Sequence, residues 1–246
     1  MIEHAGRGIL LDVEGTTSSA SFVYDVMFPF VRRELDRFLA ERWESPDVES
    51  ALNRLALDAG ADSLPSWCSG LSPDECCARV RDEVHRLMDS DAKTTGLKQL
   101  QGLIWQAGFE SGELKAHVYD DVPHALRSWN EHGREVRVYS SGSTLAQRLF
   151  FGHTSHGNLL NHFSGHYDTT IGPKKESASY SRIAADWGLA PSEILFASDV
   201  VAELDAARAA GMQTALCLRP GNAPVAPGHG HPAIQSLADI ALMQSH

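Results

Sequence analysis

From residue 135 onward the chain alternates. "EVRVYSSGS" (135–143), "FSGHYDTTIG" (163–172), "EILFASDVV" (193–201) and "QTALCLRPGN" (213–222) each begin as a strand-like run and end on polar, turn-forming residues. Helical patterns stand between them: "TLAQRLFFGH", "KESASYSRIAADWGL" and "VAELDAARAAGM", the last with Gly211 as a C-terminal stop. Strands alternating with short helices predict an α/β fold whose parallel sheet is covered on both faces. Ligands in such sheets bind beyond the carboxyl ends of the strands. The polar residue that ends each strand is therefore where chemistry is expected.

A fifth run, "ILLDVEGTTSS" (9–19), ends in Asp12 and Glu14. A strand interior disfavours carboxylates, because a buried charge must be paired, coordinated or neutralised. The two acids are two residues apart, so an extended chain directs both to one side. Gly15 then lets the backbone turn tightly and approach a ligand.

Residues 18 to 115 break the alternation and show no clear strand. "FPFVRRELDRFLAERW" places Val31, Leu35, Phe38 and Leu39 on one helical stripe, with Pro29 in the first turn. "SPDECCARVRDEVHRLMDSD" (72–91) places Cys76, Val80, Val84 and Leu87 on one face, with Ser72 as N-cap and Pro73 at the first position. "TTGLKQLQGLIWQAGFESG" (94–112) reads as a third helix. The expected organisation is a core of residues 1–17 and 116–246 carrying an all-helical insert, 18–115, that caps the site.

The formal net charge of −11 argues against nonspecific nucleic-acid binding, which needs Lys and Arg to neutralise phosphates. An acidic chain can still bind a small phosphorylated metabolite if a metal ion or a few lysines make the site locally positive. Cys68, Cys76, Cys77 and Cys217 form no CxxC pair and are expected to be free thiols in a reducing compartment. The opening "MIEHAGRGILLDVEG" lacks the apolar core of a signal peptide, and no apolar run approaches the roughly 20 residues needed to span a bilayer. A cytoplasmic protein with no membrane partner is expected. With no coiled-coil seam, so is a monomer. The Pro/Gly-rich "RPGNAPVAPGHGHPAIQSL" reads as a flexible surface loop, despite the metal-binding potential of His229 and His231.

The remaining polar strand ends form a set. Ser140 and Ser141 precede Gly142 and a helix, where hydroxyls and free N–H groups make a phosphate cradle. Lys174 and Lys175 open a helix region, and a lysine holds a phosphoryl oxygen as a point charge. Asp199 ends a strand, with Glu203 four residues on and no arginine partner nearby in sequence. Taken singly, each has an ordinary explanation as a solvated strand end, a helix cap or an exposed lysine pair. Their order carries more weight than any member: DxE, Ser-Ser at a strand end, Lys, then Ser-Asp-x-x-x-Glu.

That order resembles the four-motif sequence of the haloacid dehalogenase-like superfamily. The longer wording is similar to one family within it, acireductone synthase, the enolase-phosphatase of L-methionine salvage. The resemblance is carried by "DVEGTTSSASFVYDVMFPFVR" (12–32), "VYSSGSTLAQRLFFGH" (138–153), "GHYDTTIGPKKESASYSRIA" (165–184), "ILFASDVVAELDAARAAGM" (194–212) and "CLRPGNAP" (217–224). Residues 45 to 90 match no motif. The resemblance implies a Rossmann-like core with an inserted helical cap. It also implies a hydrolase that enolises 2,3-diketo-5-methylthiopentyl-1-phosphate and then removes its phosphate, giving 1,2-dihydroxy-3-keto-5-methylthiopentene. One Mg²⁺ per chain is implied, held by Asp12, Asp199 and the backbone carbonyl of Glu14. Asp12 would be the nucleophile and Glu14 the proton donor to the leaving oxygen, with Ser140, Ser141 and Lys174 on the substrate. Lys174 is chosen over Lys175 because the family pattern Gly-x-Lys-x-Glu-Ser falls here on "GPKKES".

The chemistry poses one difficulty. A glutamate of ordinary pKa, ~4.3, is roughly 3.7 kcal/mol uphill from its protonated form at pH 7. An acid role requires its pKa to be raised. In the alternative, Glu14 positions a water or a substrate proton. The enolisation base is open between Glu14 and an acid or histidine of the cap. Phe22, Phe28, Trp105 and Phe109 are candidates for a methylthio pocket, although each also suits plain packing. Two other functions stay open: a Mg²⁺-dependent phosphatase for another small phosphorylated metabolite, and a binding module on an inactive scaffold.

Overall fold

A computed structural model describes residues 1–243. The chain divides into two compact units, Met1–Val23 with Lys115 onward, and Tyr24–Leu114. The first opens with β1 (Ile2–His4), β2 (Gly8–Leu11) and a single turn, α1 (Ala20–Phe22). The second contains α2 (Phe28–Arg42), α3 (Pro46–Asp58), α4 (Leu64–Trp67), α5 (Pro73–Asp89) and α6 (Thr95–Ser111). The first unit then continues with α7 (Asp121–Glu131), β3 (Glu135–Tyr139), α8 (Thr144–Gly152), β4 (Gly165–Tyr167) and α9 (Ser177–Trp187). It closes with β5 (Ile194–Ser198), α10 (Val201–Ala209), β6 (Gln213–Cys217), β7 (Ala233–Ile234) and β8 (Ile240–Leu242).

Among the described residues six strands form one sheet in the order β4-β3-β2-β5-β6-β7, every neighbouring pair parallel. β2 is central, and Ile9, Leu10 and Leu11 are fully buried, as a strand covered on both faces requires. The strand order runs outward in both directions from β2 and β5, so the ends of those two strands meet where the topology switches. Asp12 continues β2 by one ladder bond, its N–H donating to Ala197 O at 3.0 Å. On one face Tyr139, Tyr180, Ile183, Phe196, Leu204 and Leu216 form a single buried cluster. β1 and β8 pair separately, and neither they nor β7 were legible in the sequence, because strands of two or three residues carry no periodicity.

The helical unit follows its apolar stripes. Val31, Leu35, Phe38 and Leu39 of α2 are buried, as are Cys76, Val80, Val84 and Leu87 of α5. Each such side chain contributes about 1.5–3 kcal/mol of burial. Ser72 and Glu75 close a capping box on α5, with Ser72 N–H donating to Glu75 Oε2 at 2.8 Å. A further helix, α3, lies in the stretch where no motif was found. It packs so closely on α6 that a Cβ at Gly96 would collide with the backbone of Leu55. Trp105 and Phe109 are core residues of this unit. The Trp105 indole donates to Met27 O at 3.0 Å, and Phe28 stacks on its ring. Phe22 is buried in the other unit, edge-on to Phe150.

Two expectations are corrected. Cys68 and Cys76 form a disulfide with Cα atoms 5.3 Å apart, leaving only Cys77 and Cys217 as free thiols. The chain leaves α4 at Cys68 and re-enters a helix before Cys76, a return path that the spacing alone does not reveal. The cysteines therefore give no argument for a reducing compartment. His231 is buried and not part of a flexible surface. Its Nδ1 lies 2.8 Å from Thr214 Oγ1 and its Nε2 3.1 Å from Asp205 Oδ1, so neither ring nitrogen is left for a metal. Among the described residues no helix is long and apolar enough to cross a membrane.

Candidate active site

The carboxyl ends of β2, β3 and β5, with the loop before α9, bring most of the expected residues together. Asp12 is 2% exposed and engaged on both oxygens. Oδ1 accepts from Val13 N–H at 2.8 Å and meets Lys174 Nζ at 2.7 Å. Oδ2 lies 3.1 Å from Ser198 Oγ. The same ammonium meets Glu203 Oε2 at 2.7 Å, so Lys174 bridges two buried carboxylates. Ser198 Oγ is also 3.2 Å from Glu203 Oε2, and its single hydrogen serves one acid at a time. Ser140 is buried at the end of β3 and donates to Glu14 Oε2 at 3.3 Å. Ser141, its neighbour, is exposed and makes no hydrogen bond to these side chains among the described residues, so the structure gathers Ser140 but not Ser141 into this cluster.

Gly15 is required where it stands. Its φ is +71°, a region L side chains rarely adopt, and a Cβ there would run into Asp199 Oδ2. The Glu14–Gly15 backbone therefore lies directly against Asp199. In this loop backbone N–H groups converge on Val13 O from Thr16, Thr17 and Ser18 at 3.0 to 3.3 Å. Among the described residues every carbonyl from Asp12 to Ser18 accepts a hydrogen bond except that of Glu14.

The electrostatics reflect one ammonium among several acids. Burial opposes the charge of Lys174, but Asp12 and Glu203 outweigh it and raise its pKa, so it stays protonated. Burial, then the charge of Asp12, lifts Asp199 to about 6 and Glu203 to about 7. Glu14 is raised for the same two reasons, with Lys174 and Ser140 pulling it back. The shift of Glu14 is in the direction an acid role requires.

The donor set suits a hard divalent cation. Asp12 and Asp199 offer carboxylate oxygens, the Glu14 carbonyl accepts no hydrogen bond among the described residues, and the cluster carries excess negative charge. Among the described residues no three His, Cys, Asp or Glu side chains gather into a ready-made cage. A set of two carboxylates and one backbone carbonyl is not such a cage, and a Mg²⁺ held there would keep several waters.

Glu203 is the principal residue that sequence reasoning left out of the site. Its signal was a carboxylate on the inner face of an alanine-rich helix, four residues after Asp199. Its partner is Lys174, distant in sequence, and not an arginine nearby.

A family model described as haloacid dehalogenase-like hydrolase matches residues 7–211. A protein named enolase-phosphatase E1 from Pseudomonas aeruginosa (strain UCBPP-PA14) is 45% identical over 239 residues, covering 96% of this chain and 98% of that one. A grapevine (Vitis vinifera) protein, named a probable bifunctional methylthioribulose-1-phosphate dehydratase/enolase-phosphatase E1, is 42% identical over 97% of this chain. The chain spans about half the length of that relative, 48%. Among solved structures, the UTR4 protein of Saccharomyces cerevisiae aligns with a TM-score of 0.77 at 32% identity, covering 94% of this chain and 98% of that one. The chain belongs to the haloacid dehalogenase-like hydrolases and, within them, to the enolase-phosphatase E1 family.

Proposed function

We propose that this chain converts 2,3-diketo-5-methylthiopentyl-1-phosphate to 1,2-dihydroxy-3-keto-5-methylthiopentene and phosphate, within L-methionine salvage. The observation that carries the reading is the pairing of Asp12 with Lys174 at 2.7 Å, at the sheet's switch point, in a chain of this family.

In this reading Asp12 attacks phosphorus and forms an aspartyl-phosphate as the bond to the substrate oxygen breaks. Lys174 and the Val13 N–H hold the Asp12 carboxylate in place. Lys174 also offsets negative charge as the phosphoryl group transfers. Glu14, raised by burial and by Asp12, donates its proton to the leaving oxygen, with Ser140 orienting its carboxyl. As a carboxylate it then takes a proton from the water that hydrolyses the aspartyl-phosphate. Ser140, Ser141 and Lys174 are the proposed substrate contacts. Asp12, Asp199 and the Glu14 carbonyl would hold one Mg²⁺, which supplies charge to offset the repulsion between Asp12 and the phosphate. On the same reading the enzyme is a cytoplasmic monomer.

The test is turnover of the diketo phosphate with Mg²⁺, following acireductone and phosphate together. Equal amounts of both support the assignment. Phosphate release from other phosphomonoesters, with no acireductone from this one, would leave a phosphatase without enolase activity. No phosphate release from any of them would leave a binding module.

A further inference from the structure

The loop after β6, "CLRPGN", reaches back to the loop after β2. Arg219 is 8% exposed, and its Nε donates to Thr16 O at 2.9 Å. Its Nη1 donates to Asp121 Oδ1 at 3.1 Å and Gln235 O at 2.9 Å, and its Nη2 lies 2.9 Å from Asp121 Oδ2. The guanidinium is held in its plane as well, packed 4.5 Å over the Tyr119 ring, while Tyr119 N–H donates to Thr17 O at 3.0 Å. Asn222 Nδ2 donates to Gly15 O at 2.9 Å and Cys217 O at 3.1 Å. Both partners are acceptors, which fixes the amide with its nitrogen facing them. The two residues take consecutive carbonyls, 15 and 16. The adjacent carbonyl, of Glu14, is the one in this loop without a hydrogen bond among the described residues, and Gly15 lies against Asp199.

We infer that Arg219 and Asn222 are positioning residues for the divalent cation, clamping the Gly15–Thr16 backbone so that the Glu14 carbonyl stays free beside Asp199. They touch neither cation nor substrate. The inference rests on the metal reading above. A rigid planar fork with three directed contacts explains the choice of arginine, since the single ammonium of a lysine cannot reproduce them. Residues that orient ligands in this way typically change metal affinity by about 10- to 100-fold when replaced.

The test is calorimetric titration of the whole chain with MgCl₂ alone, without substrate. Wild type, Arg219→Lys and Asn222→Ala are compared, each with its thermal unfolding midpoint measured free of metal. Asn222 is only partly buried, so its variant keeps the test decisive if Arg219→Lys does not fold. The expected result is a Mg²⁺ Kd raised about tenfold or more in the folded variants, with the metal-free midpoint of Asn222→Ala within a few degrees of wild type. A purely structural role lowers the midpoint and leaves Kd unchanged, and that result overturns the inference. Wild-type protein that takes up no Mg²⁺ overturns the metal reading itself, and the clamp with it.

Discussion

Replacing Lys174 by methionine tests the charge balance of the site. The ammonium lies 2.7 Å from both Asp12 and Glu203, and all three side chains are nearly inaccessible to water. Methionine fills similar volume but leaves two acids facing each other without compensation. Breaking a buried pair by removing one partner costs about 3–5 kcal/mol. Protonation limits the cost: Glu203, already lifted to about 7, would take up a proton through the neutral range and would not remain charged. We therefore expect Lys174→Met to destabilise the α/β unit by about 3 kcal/mol at pH 7. The loss should shrink as pH falls toward 5, where the proton is readily supplied. In a Glu203→Gln background the same substitution should cost at least about 1 kcal/mol less, because the neighbouring acid is gone. Hydrogen exchange resolved to peptides of β2 and β5 reads this unit separately from the helical one. A cost under about 1 kcal/mol, equal in both backgrounds and flat with pH, would refute the account of Lys174 as a buried bridge.

Three further outcomes are expected. Gly15→Ala places a Cβ at φ +71° and against Asp199, so it should cost at least about 1–2 kcal/mol in backbone strain and abolish Mg²⁺-dependent turnover. A wild-type unfolding curve for that variant would contradict the geometry. His166 is held neutral mainly by burial, its pKa depressed to about 4 from 6.5. Between those values the unfolded chain binds a proton that the folded chain does not, so stability falls as pH drops from 6.5 to 4. A His166→Gln variant should lack that part of the acid sensitivity in pH-dependent melts. Finally, the denatured, unreduced protein should take up alkyl groups at Cys77 and Cys217 only, and at all four cysteines after reduction. Alkylation at Cys68 or Cys76 before reduction would contradict the disulfide.

The sheet was legible because each catalytic strand is an apolar run that stops at an acid or a hydroxyl, a local signal written within about six residues. Asp12, Glu14, Ser140 and Asp199 could be singled out on that basis, and Lys174 through the "GPKKES" wording. What escaped depends on contacts between distant segments. Glu203 gains its meaning only when Lys174 arrives from the loop before α9. Arg219 and Asn222 look like ordinary loop residues until β6 lies beside β5 and brings them to Gly15 and Thr16. The disulfide depends on a return path through α4 and α5 that no periodicity encodes. Ser140 and Ser141 are adjacent and of one chemistry, and only in the fold does one become buried beside Glu14 and the other exposed.

The most direct measurement is acid quenching of the enzyme during turnover of the diketo phosphate with Mg²⁺, followed by peptide mapping for a phosphoryl group. The account predicts the group on Asp12, and neither label nor turnover in Asp12→Asn. Turnover without a phosphoryl group on Asp12, or sustained in Asp12→Asn, would contradict it.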